Sequence, residues 1–410
     1  MSPQLQPVPA AAAEEHQFHD WLHALAPRTW VSYGLIALNV AVWAWMVARG
    51  VDAFHPPAEL LLQWGGNAAS EVQRGQVWRL LTATFVHSGI VHLVMNMLGL
   101  WAIGQTAERI YGHRVFLGIY LGSALAASAL SLHFSAQKTV SVGASGAVFG
   151  LAGVVLVAVL RHRDTMPRLF GKQMLRGIGF FVVYSLAQGF LQAGVDNAAH
   201  VGGLLAGALM GCILPVRPDL LRARPQARGR AVLALAAVAA LVVGLAALAP
   251  PAAVDFQRKY AGAAAFELAM RNFNAAMLRL GQESQLLRAG KLSAQQSDER
   301  SRSVHAPAFR QVQAELAAVW LPPGDPRNAL LQEVRQQAGW MAEVQGMASV
   351  TPPGSSQPQP ADPARMAALQ AAIQASSQRL ALLIRTQNGP QNRPERGPEP
   401  PAKSTRPGIQ

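Results

Sequence analysis

Seven long stretches of the chain contain no Asp, Glu, Lys or Arg, and they limit its fold more than any other feature. Each has about 20 residues or more, the length that a helix needs to cross roughly 30 Å of hydrocarbon. A helix in a soluble bundle would need a polar face, and residues 231–249 contain none. The sequence therefore predicts an all-α membrane protein with seven transmembrane helices. The seven stretches are residues 29–48, 80–107, 115–137, 139–160, 177–195, 197–216 and 231–254.

The composition argues against several classes of soluble protein. Only 14% of the residues are charged, and the 35 Lys and Arg outnumber the 22 Asp and Glu, whereas soluble domains have about a quarter charged residues. A nucleic-acid-binding protein would cluster its basic residues with aromatic ones on a polar surface, so we predict no nucleic acid partner. The single cysteine, Cys212, excludes a disulfide within the chain and any metal site built from cysteines.

The short loops between the stretches predict the orientation of the helices. With the amino terminus in the cytoplasm, twelve Lys and Arg lie in the inside loops and four in the outside segments. The positive-inside rule then places the carboxyl-terminal region on the outer side, after the seventh helix. Residues 1–28 contain no apolar core behind a basic start, so the sequence predicts no cleavable signal peptide.

Four polar residues stand out inside the apolar stretches, where polar groups are costly and often functional. They are His92 and Asn96 in the second stretch, Ser145 in the fourth and His200 in the sixth. These stretches all enter from the outside, so His92, Ser145 and His200 are expected at a similar depth in the outer half of the membrane. Asn96 follows His92 by one helical turn on the same face.

A serine and a histidine at one depth indicate a nucleophile and its general base. A third, acidic member is hard to find, because Asp196 is better explained as the amino-terminal cap of the sixth helix. We therefore predict a Ser145–His200 dyad, with His92, Asn96 and the backbone N–H of Ser145 as donors to an oxyanion. Taken singly, each residue has a structural explanation, as a bond to its own helix or as a polar contact between helices.

Small residues four apart predict that the fourth and sixth helices pack closely. Gly146 and Gly150 lie in the fourth stretch, and Gly203, Gly207 and Gly211 lie in the sixth. Glycines at this spacing let two helix backbones approach each other. Such an approach would allow Ser145 and His200 to meet.

At these residues the sequence resembles the rhomboid family of intramembrane serine proteases. The segment Gly143-Ala144-Ser145-Gly146 is similar to the family's G-x-S-G motif, and His92-x-x-x-Asn96 is similar to its H-x-x-x-N motif. Ala199-His200-x-x-Gly203 resembles the A-H-x-x-G motif, and Trp78-Arg79 resembles the W-R of the first outer loop. All four motifs occur in the family's order, over roughly residues 30–215, and together they are highly specific.

The resemblance implies a rhomboid-like polytopic helical bundle of six helices plus one. It implies Ser145 as nucleophile, His200 as base, and His92 and Asn96 as oxyanion donors. Phe149 falls where relatives have an aromatic residue that stacks on the catalytic imidazole, and residues 51–85 would form a loop that dips into the membrane. The second and fifth helices would form a lateral gate.

The expected partners are the lipid bilayer and single-span membrane proteins, which are cleaved near the outer membrane boundary. We expect no metal and no cofactor, since no H-E-x-x-H motif occurs. The expected location is the bacterial cytoplasmic (inner) membrane. An alternative function is a non-proteolytic relative that binds, escorts or retains transmembrane clients, although such relatives typically lack the serine or the histidine. A transporter or channel would have paired charges or symmetric broken helices in the membrane, which the sequence lacks.

Beyond residue 250 the chain changes character: 30 of 160 residues are charged, compared with 27 of 250 before them. An apolar stripe there predicts an amphipathic helix that packs on a neighbour. Asp325-Pro326 and Asp362-Pro363 each predict the start of a helix. This region is interpreted as a helical bundle, a self-association segment or a module that binds partners. The stripe consists of Phe266, Met270, Phe273, Met277 and Leu280.

The predicted organisation has five parts. They are a cytoplasmic segment at 1–28, a six-helix catalytic core at 29–216, a basic linker with the seventh helix at 217–254, a helical extramembrane region at 255–350, and a Pro- and Gln-rich tail at 351–410 with a helix at 364–387. Residues 352–363 and 389–410 are predicted to be disordered, because they are rich in Pro, Gln, Ser and Gly.

Overall fold

A computed structural model describes most of the chain and divides it into two compact units. The boundary between the units falls between Phe256 and Gln257. The described residues are 20, 23, 26–164, 168–192, 194–216, 224–347, 349–350, 359–360 and 362–387. The predictions for most of the first 28 residues, for residues 352–358 and for residues 389–410 therefore lie outside the described residues. The finer division into five parts stays a prediction.

The first unit is a bundle of helices. Its helices are α1 (Trp30–Ala48), α2 (Ala58–Gln63), α3 (Ala69–Gln73), α4 (Arg79–Thr82), α5 (Ile90–Gly99), α6 (Gln105–Tyr111), α7 (His113–Ser131), α8 (Ser145–Arg161), α9 (Arg168–Leu191), α10 (Asn197–Ile213) and α11 (Arg224–Ala247). One turn of π-helix, Leu100–Gly104, joins α5 to α6 without interruption. Short 3-10 turns follow α4 and α7.

Five helical segments in the described part of the chain are long and apolar enough to cross a membrane. These are Trp30–Ala48, Ile90–Tyr111, His113–Ser131, Gly171–Leu191 and Arg228–Ala247. The fourth and sixth predicted stretches form shorter apolar helices, α8 and α10. The total of seven crossings stays a prediction.

The second and fourth helices begin later than the charge-free stretches suggested. The second stretch has no charge from residue 80 onward, but its first residues form α4 and a 3-10 turn, and the long helix starts only at Ile90, after a short loop at 86–89. Gly89 ends this loop with φ +113°, and a Cβ there would lie 2.1 Å from the Phe54 carbonyl oxygen. In the fourth stretch, residues 139–144 are not helical, and α8 starts at Ser145. A stretch without charge fits a buried loop as well as a helix when the backbone finds hydrogen-bond partners.

Glycines bring α8 and α10 into close contact, as the sequence predicted. A Cβ on Gly203 would lie 1.9 Å from the Gly146 carbonyl oxygen, and a Cβ on Gly207 would lie 1.9 Å from that of Gly150. No side chain fits into such a gap. The two backbones therefore touch along one face, which fixes the distance between the helices that carry Ser145 and His200.

Polar side chains satisfy helix ends within this unit. Glu108 is fully buried and accepts bonds from the N–H groups of Val31 at 3.0 Å and Ser32 at 2.8 Å, at the start of α1. Arg161, in the last turn of α8, donates to the carbonyl oxygens of Gly211 at 3.2 Å and Cys212 at 2.5 Å, near the end of α10. These contacts supply partners for groups that a helix leaves unpaired at its ends.

The second unit is a separate helical bundle with its own apolar core. Its elements are α12 (Phe256–Arg288), of which only the first residue belongs to the first unit, α13 (Ala294–Arg300), a π-helical turn (Ser301–His305), α14 (Ala306–Ala318), α15 (Arg327–Gly346), β1 (Ser349–Val350), β2 (Gln359–Pro360) and α16 (Pro363–Gln387). The two short strands pair antiparallel. Asp325 and Asp362 accept backbone bonds from Arg327 and Arg365 at the starts of α15 and α16, each at 2.9 Å.

The apolar stripe of α12 packs inside the second unit. Phe266 and Phe273 are buried in its core, and Met270, Met277 and Leu280 pack against that core. This packing explains the stripe without an external partner. A self-associating or partner-binding role for the carboxyl-terminal region stays a prediction.

Candidate active site

Ser145 and His200 meet where two helices begin. Ser145 is the first residue of α8, and His200 lies in the first turn of α10. The Nε2 atom of His200 lies 2.9 Å from the Oγ atom of Ser145, within hydrogen-bond distance. Two residues that are 55 positions apart in the sequence therefore form a direct pair.

The His200 ring is held flat against Phe149, one turn after Ser145. The two ring centroids are 4.3 Å apart, and their planes differ by 2°. The Nδ1 atom of His200 is buried and has no hydrogen-bond partner within the described residues. With the proton on Nδ1, Nε2 is free to accept the Ser145 hydroxyl proton.

No carboxylate among the described residues contacts the His200 ring. Asp196 caps α10 instead, because its Oδ1 atom accepts a bond from the Ala199 N–H at 2.9 Å. Its other oxygen binds the hydroxyls of Ser131 and Ser141. The capping role that the sequence predicted for Asp196 is thus present in the structure.

The segment that precedes Ser145 is fixed by backbone hydrogen bonds to distant residues. The N–H of Gly143 donates to the Ala83 carbonyl oxygen at 2.8 Å, and the N–H of Ala144 donates to His87 Nε2 at 3.4 Å. Ser141 exchanges two backbone bonds with Asn67, at 2.8 and 2.9 Å. These bonds hold the segment before α8 in place. The first N–H groups of α8 have no hydrogen-bond partner within their own helix.

Ser88 orients the His92 ring, and its contact determines which ring nitrogen carries the proton. The backbone N–H of Ser88 donates to His92 Nδ1 at 3.3 Å, and the Ser88 hydroxyl lies 2.9 Å from the same atom. A nitrogen that accepts a bond from an N–H carries no proton itself, so Nε2 carries the ring proton. His92 Nε2 is therefore a donor, as an oxyanion contact requires.

His92 and Asn96 both lie against the backbone of Gly143, two residues before Ser145. Gly143 has φ +113°, and a Cβ there would lie 2.8 Å from His92 Nε2 and 3.7 Å from Asn96 Nδ2. Asn96 is buried and donates through Nδ2 to the His92 carbonyl oxygen at 2.8 Å.

Gly146, which follows Ser145, lies against Ala127, and a Cβ added to Gly146 would lie 2.5 Å from the Ala127 Cβ. At both Gly143 and Gly146, these close contacts leave no room for a side chain.

Trp78 and Arg79 organise the loop before α5. The buried Arg79 donates to the carbonyl oxygens of Leu62 at 2.5 Å and Gly66 at 2.9 Å, and its guanidinium lies 4.6 Å from the centre of the Trp78 ring. Arg79 thus supports the loop backbone. How deeply this loop enters the membrane stays a prediction.

Sequence reasoning missed the residues that support the site from outside the motifs. Asn67 and Ser88 were not singled out, although one pairs with the segment before Ser145 and the other orients His92. A lone Asn or Ser in a loop has no periodic pattern that would identify its partner. Within the described residues, no group of three or more His, Cys, Asp or Glu is arranged to hold a metal ion.

Comparisons with known proteins identify the family. The Rhomboid domain profile matches residues 74–217. Rhomboid protease GluP of Bacillus subtilis is 35% identical over 176 residues, which cover 43% of this chain and 33% of GluP. RHOMBOID-like protein 1 of Arabidopsis thaliana is 33% identical over 229 residues, which cover 51% of this chain and 58% of that protein. Rhomboid protease AarA of Providencia stuartii is 30% identical over 208 residues, which cover 46% of this chain and 73% of AarA.

The chain spans only part of the first two relatives, so the similarity is a statement about family and fold. The matched region contains Ser145, His200, His92 and Asn96. The resemblance noted in the sequence is confirmed by these matches. The chain belongs to the rhomboid family, and with its apolar helices it is an integral, multi-pass membrane protein with a helical bundle fold.

Proposed function

We propose that this protein is an intramembrane serine endopeptidase that cleaves transmembrane segments with a Ser145–His200 dyad. The observation that carries the proposal is the 2.9 Å contact between His200 Nε2 and Ser145 Oγ. The similarity to the rhomboid proteases GluP and AarA supports the same activity. The proposed site requires no metal or cofactor.

In the proposed reaction, Ser145 Oγ attacks the carbonyl carbon of the scissile peptide bond while His200 Nε2 takes the hydroxyl proton. The tetrahedral intermediate collapses, and His200 returns this proton to the leaving amine, which leaves an ester on Ser145. Water then attacks the ester and gives its proton to His200. The released serine regains that proton, and the products are a carboxylic acid and an amine.

The developing oxyanion would be stabilised by donors from two helices. His92 Nε2–H and Asn96 Nδ2–H come from α5 and lie beside Gly143, and the N–H groups at the start of α8 follow Gly143 in the chain. Fixed donors of this kind are effective because they need no reorganisation during the reaction. The amino-terminal end of α8 also contributes a positive helix dipole to the negative charge.

The proposed substrates are single-span membrane proteins cut near the outer membrane boundary. A peptide bond in an intact helix has its carbonyl oxygen hydrogen-bonded and shielded by side chains, so the substrate must unwind locally before Ser145 can attack. Segments that contain helix-weakening residues should therefore be preferred. The proposed orientation has the amino terminus in the cytoplasm and the carboxyl-terminal region outside, in a bacterial inner membrane.

Labelling with a fluorophosphonate tests the proposed nucleophile. In detergent, the full chain should become labelled on Ser145, and Ser145→Ala and His200→Ala should each lose the label. Ser185→Ala, a serine on the apolar helix α9, is a matched control and should label normally. The alternative function, a non-proteolytic protein that binds or escorts transmembrane clients, predicts no labelling that depends on Ser145.

A further inference from the structure

Asp196 connects three elements around the dyad, and its bonds are divided between its two oxygens. Oδ1 accepts the Ala199 N–H at 2.9 Å and caps α10. Oδ2 accepts the Ser141 hydroxyl at 2.5 Å, from the segment before α8, and also the hydroxyl of Ser131, the last residue of α7. A carboxylate accepts hydrogen bonds at both oxygens, so one side chain satisfies all three donors.

Two of these three contacts hold residues that lie near a proposed catalytic residue in the sequence. Ser141 is four residues before Ser145, and its backbone is already fixed by the paired bonds to Asn67. Ala199 immediately precedes His200, and the His200 N–H bonds to the Asp196 carbonyl oxygen at 3.1 Å. Asp196 therefore ties the start of the nucleophile's segment to the turn that carries the base.

The opposite ends of the same two helices are also tied. Arg161, at the end of α8, bonds the carbonyl oxygens of Gly211 and Cys212 near the end of α10. Between these ends the glycine contacts set how closely α8 and α10 approach, but glycine contacts alone leave the helices free to slide or turn. A bond at each end restrains both motions.

We propose that Asp196 is a positioning residue, which sets the distance and angle between Ser145 and His200 by joining Ser141 and Ser131 to the first turn of α10. This inference rests on the proposed function, since it assigns Asp196 a part in the same reaction. Asp196 does not act as the third member of a triad, because its oxygens are bound to other donors and none contacts the His200 ring.

A serine at position 196 separates this role from simple helix capping. Serine is a good amino-terminal cap, so Asp196→Ser keeps the bond to Ala199. Its side chain is shorter and has a single oxygen, so it cannot bond Ser131 and Ser141 as well. Asp196→Asn keeps the oxygen for Ala199 and places an amide where both serine hydroxyls can accept bonds.

The experiment measures the rate of fluorophosphonate labelling at Ser145 in the full chain, corrected for the folded fraction. Asp196→Ser and Ser141→Ala should each slow labelling about tenfold, since small displacements of reacting groups reduce rates steeply. The double variant should also be about tenfold slower, because both changes break the same bridge. Asp196→Asn should label within about threefold of the unchanged protein. With a cleavable substrate, Asp196→Ser and Ser141→Ala should lower kcat while KM stays nearly constant.

Ser32→Ala provides the matched control at a distance from the dyad. Ser32 donates to the buried carboxylate of Glu108 at 2.6 Å, so this variant also loses a bond from a serine hydroxyl to a carboxylate. It should lower the melting temperature and leave the labelling rate unchanged. The positioning role would be overturned by normal labelling in Asp196→Ser, by equal rates in Asp196→Ser and Asp196→Asn, or by a hundredfold loss in the double variant.

Melting temperatures separate this proposal from the proposed function. If the bridge exists, the losses in melting temperature of Asp196→Ser and Ser141→Ala will not add in the double variant, whether or not the protein is an enzyme. If the unchanged protein fails to label at Ser145 while this coupling is present, the proposed function fails and the bridge stands as a structural one. Additive losses would contradict the bridge itself.

Discussion

In the proposed site, His92 and Asn96 are two separate hydrogen-bond donors to the oxyanion. Ser88 fixes the ring protons of His92 so that Nε2 donates, and the Asn96 amide lies on the same side of Gly143. The start of α8 offers backbone donors as well. An oxyanion at this position would thus have several donors, and the loss of one would leave the others in place.

Asn96→Ala should consequently weaken turnover without abolishing it. Loss of a single oxyanion donor costs about two to three orders of magnitude in kcat in other serine proteases. We expect a loss of roughly two orders of magnitude or less here, since other donors remain. The measurement is kcat for a helix-weakened transmembrane substrate in liposomes. A complete loss, equal to that of Ser145→Ala, would contradict the proposed sharing of the oxyanion among several donors.

Gly143→Ala should reduce activity more than Asn96→Ala, because it displaces His92. The added Cβ would lie 2.6 Å from His92 Cε1, on a backbone with φ +113°. Gly75→Ala is the control for backbone strain without a steric clash, since Gly75 has φ +92° and nothing within 4 Å of an added Cβ. Both variants should lose stability by about 1 kcal/mol or more from backbone strain, but only Gly143→Ala should lose Ser145 labelling. Normal labelling in Gly143→Ala would refute this close contact.

At the scale of helices, the site depends on the α8–α10 pair. The glycine contacts bring the two backbones together, and the bonds of Asp196 and Arg161 connect their ends. Each of the proposed catalytic groups then projects from the first turn of its own helix. The pair is therefore the structural unit that converts two distant motifs into one site.

Gly203→Ala should separate this pair. The new Cβ would lie 1.9 Å from the Gly146 carbonyl oxygen, and a backbone atom cannot move aside as a flexible side chain can. We expect a lower melting temperature and loss of labelling at Ser145. Gly244→Ala, in α11 with nothing within 4 Å of the added Cβ, is the control and should be neutral or slightly stabilising. Equal behaviour of the two variants would contradict the role of the contact.

The packing of the helices was predictable from the sequence, but the residues at which some of them begin were not. The glycine spacing predicted the contact of α8 with α10, and the polar residues predicted which side chains meet. The starts of the helices at Ile90 and Ser145 were not predictable, since they depend on distant partners: Ile90 N–H bonds to Ala53, and Ser141 pairs with Asn67. Local patterns carry no information about such bonds, and absence of charge does not distinguish a helix from a buried loop.

At the scale of the whole molecule, the charge has two origins. Before residue 251 there are 17 Lys and Arg and 10 Asp and Glu, and after it there are 18 and 12. In the first part the basic residues lie mainly between apolar stretches, where they are expected to orient the helices. In the second unit, arginines pair with acids: Arg327 with Asp325, Arg379 with Glu333 and Arg365 with Glu343. The last two pairs connect α15 to α16.

These pairs should make α15 and α16 less stable in acid. Hydrogen bonds from arginine lower the pKa of Asp325, of Glu333 and of Glu343 below their ordinary values. A carboxyl with a lowered pKa stabilises the folded state above its unfolded pKa of about 4, and this stability is lost as the pH falls through the folded pKa. Hydrogen–deuterium exchange of α15 and α16, corrected for its intrinsic pH dependence, should show increased opening below about pH 4. In Arg379→Gln this dependence should weaken, and an unchanged profile would contradict the pairing.

Hydrolysis of a transmembrane segment by Ser145 can be measured with the purified protein in liposomes. The substrate is a single-span protein with a helix-weakened segment near one membrane boundary, and its fragments are identified by mass spectrometry. The full chain should cut within the transmembrane segment near that boundary, while Ser145→Ala and His200→Ala, folded to the same extent, should produce no fragment. Cleavage by Ser145→Ala at the rate of the unchanged protein would show that Ser145 is not the nucleophile.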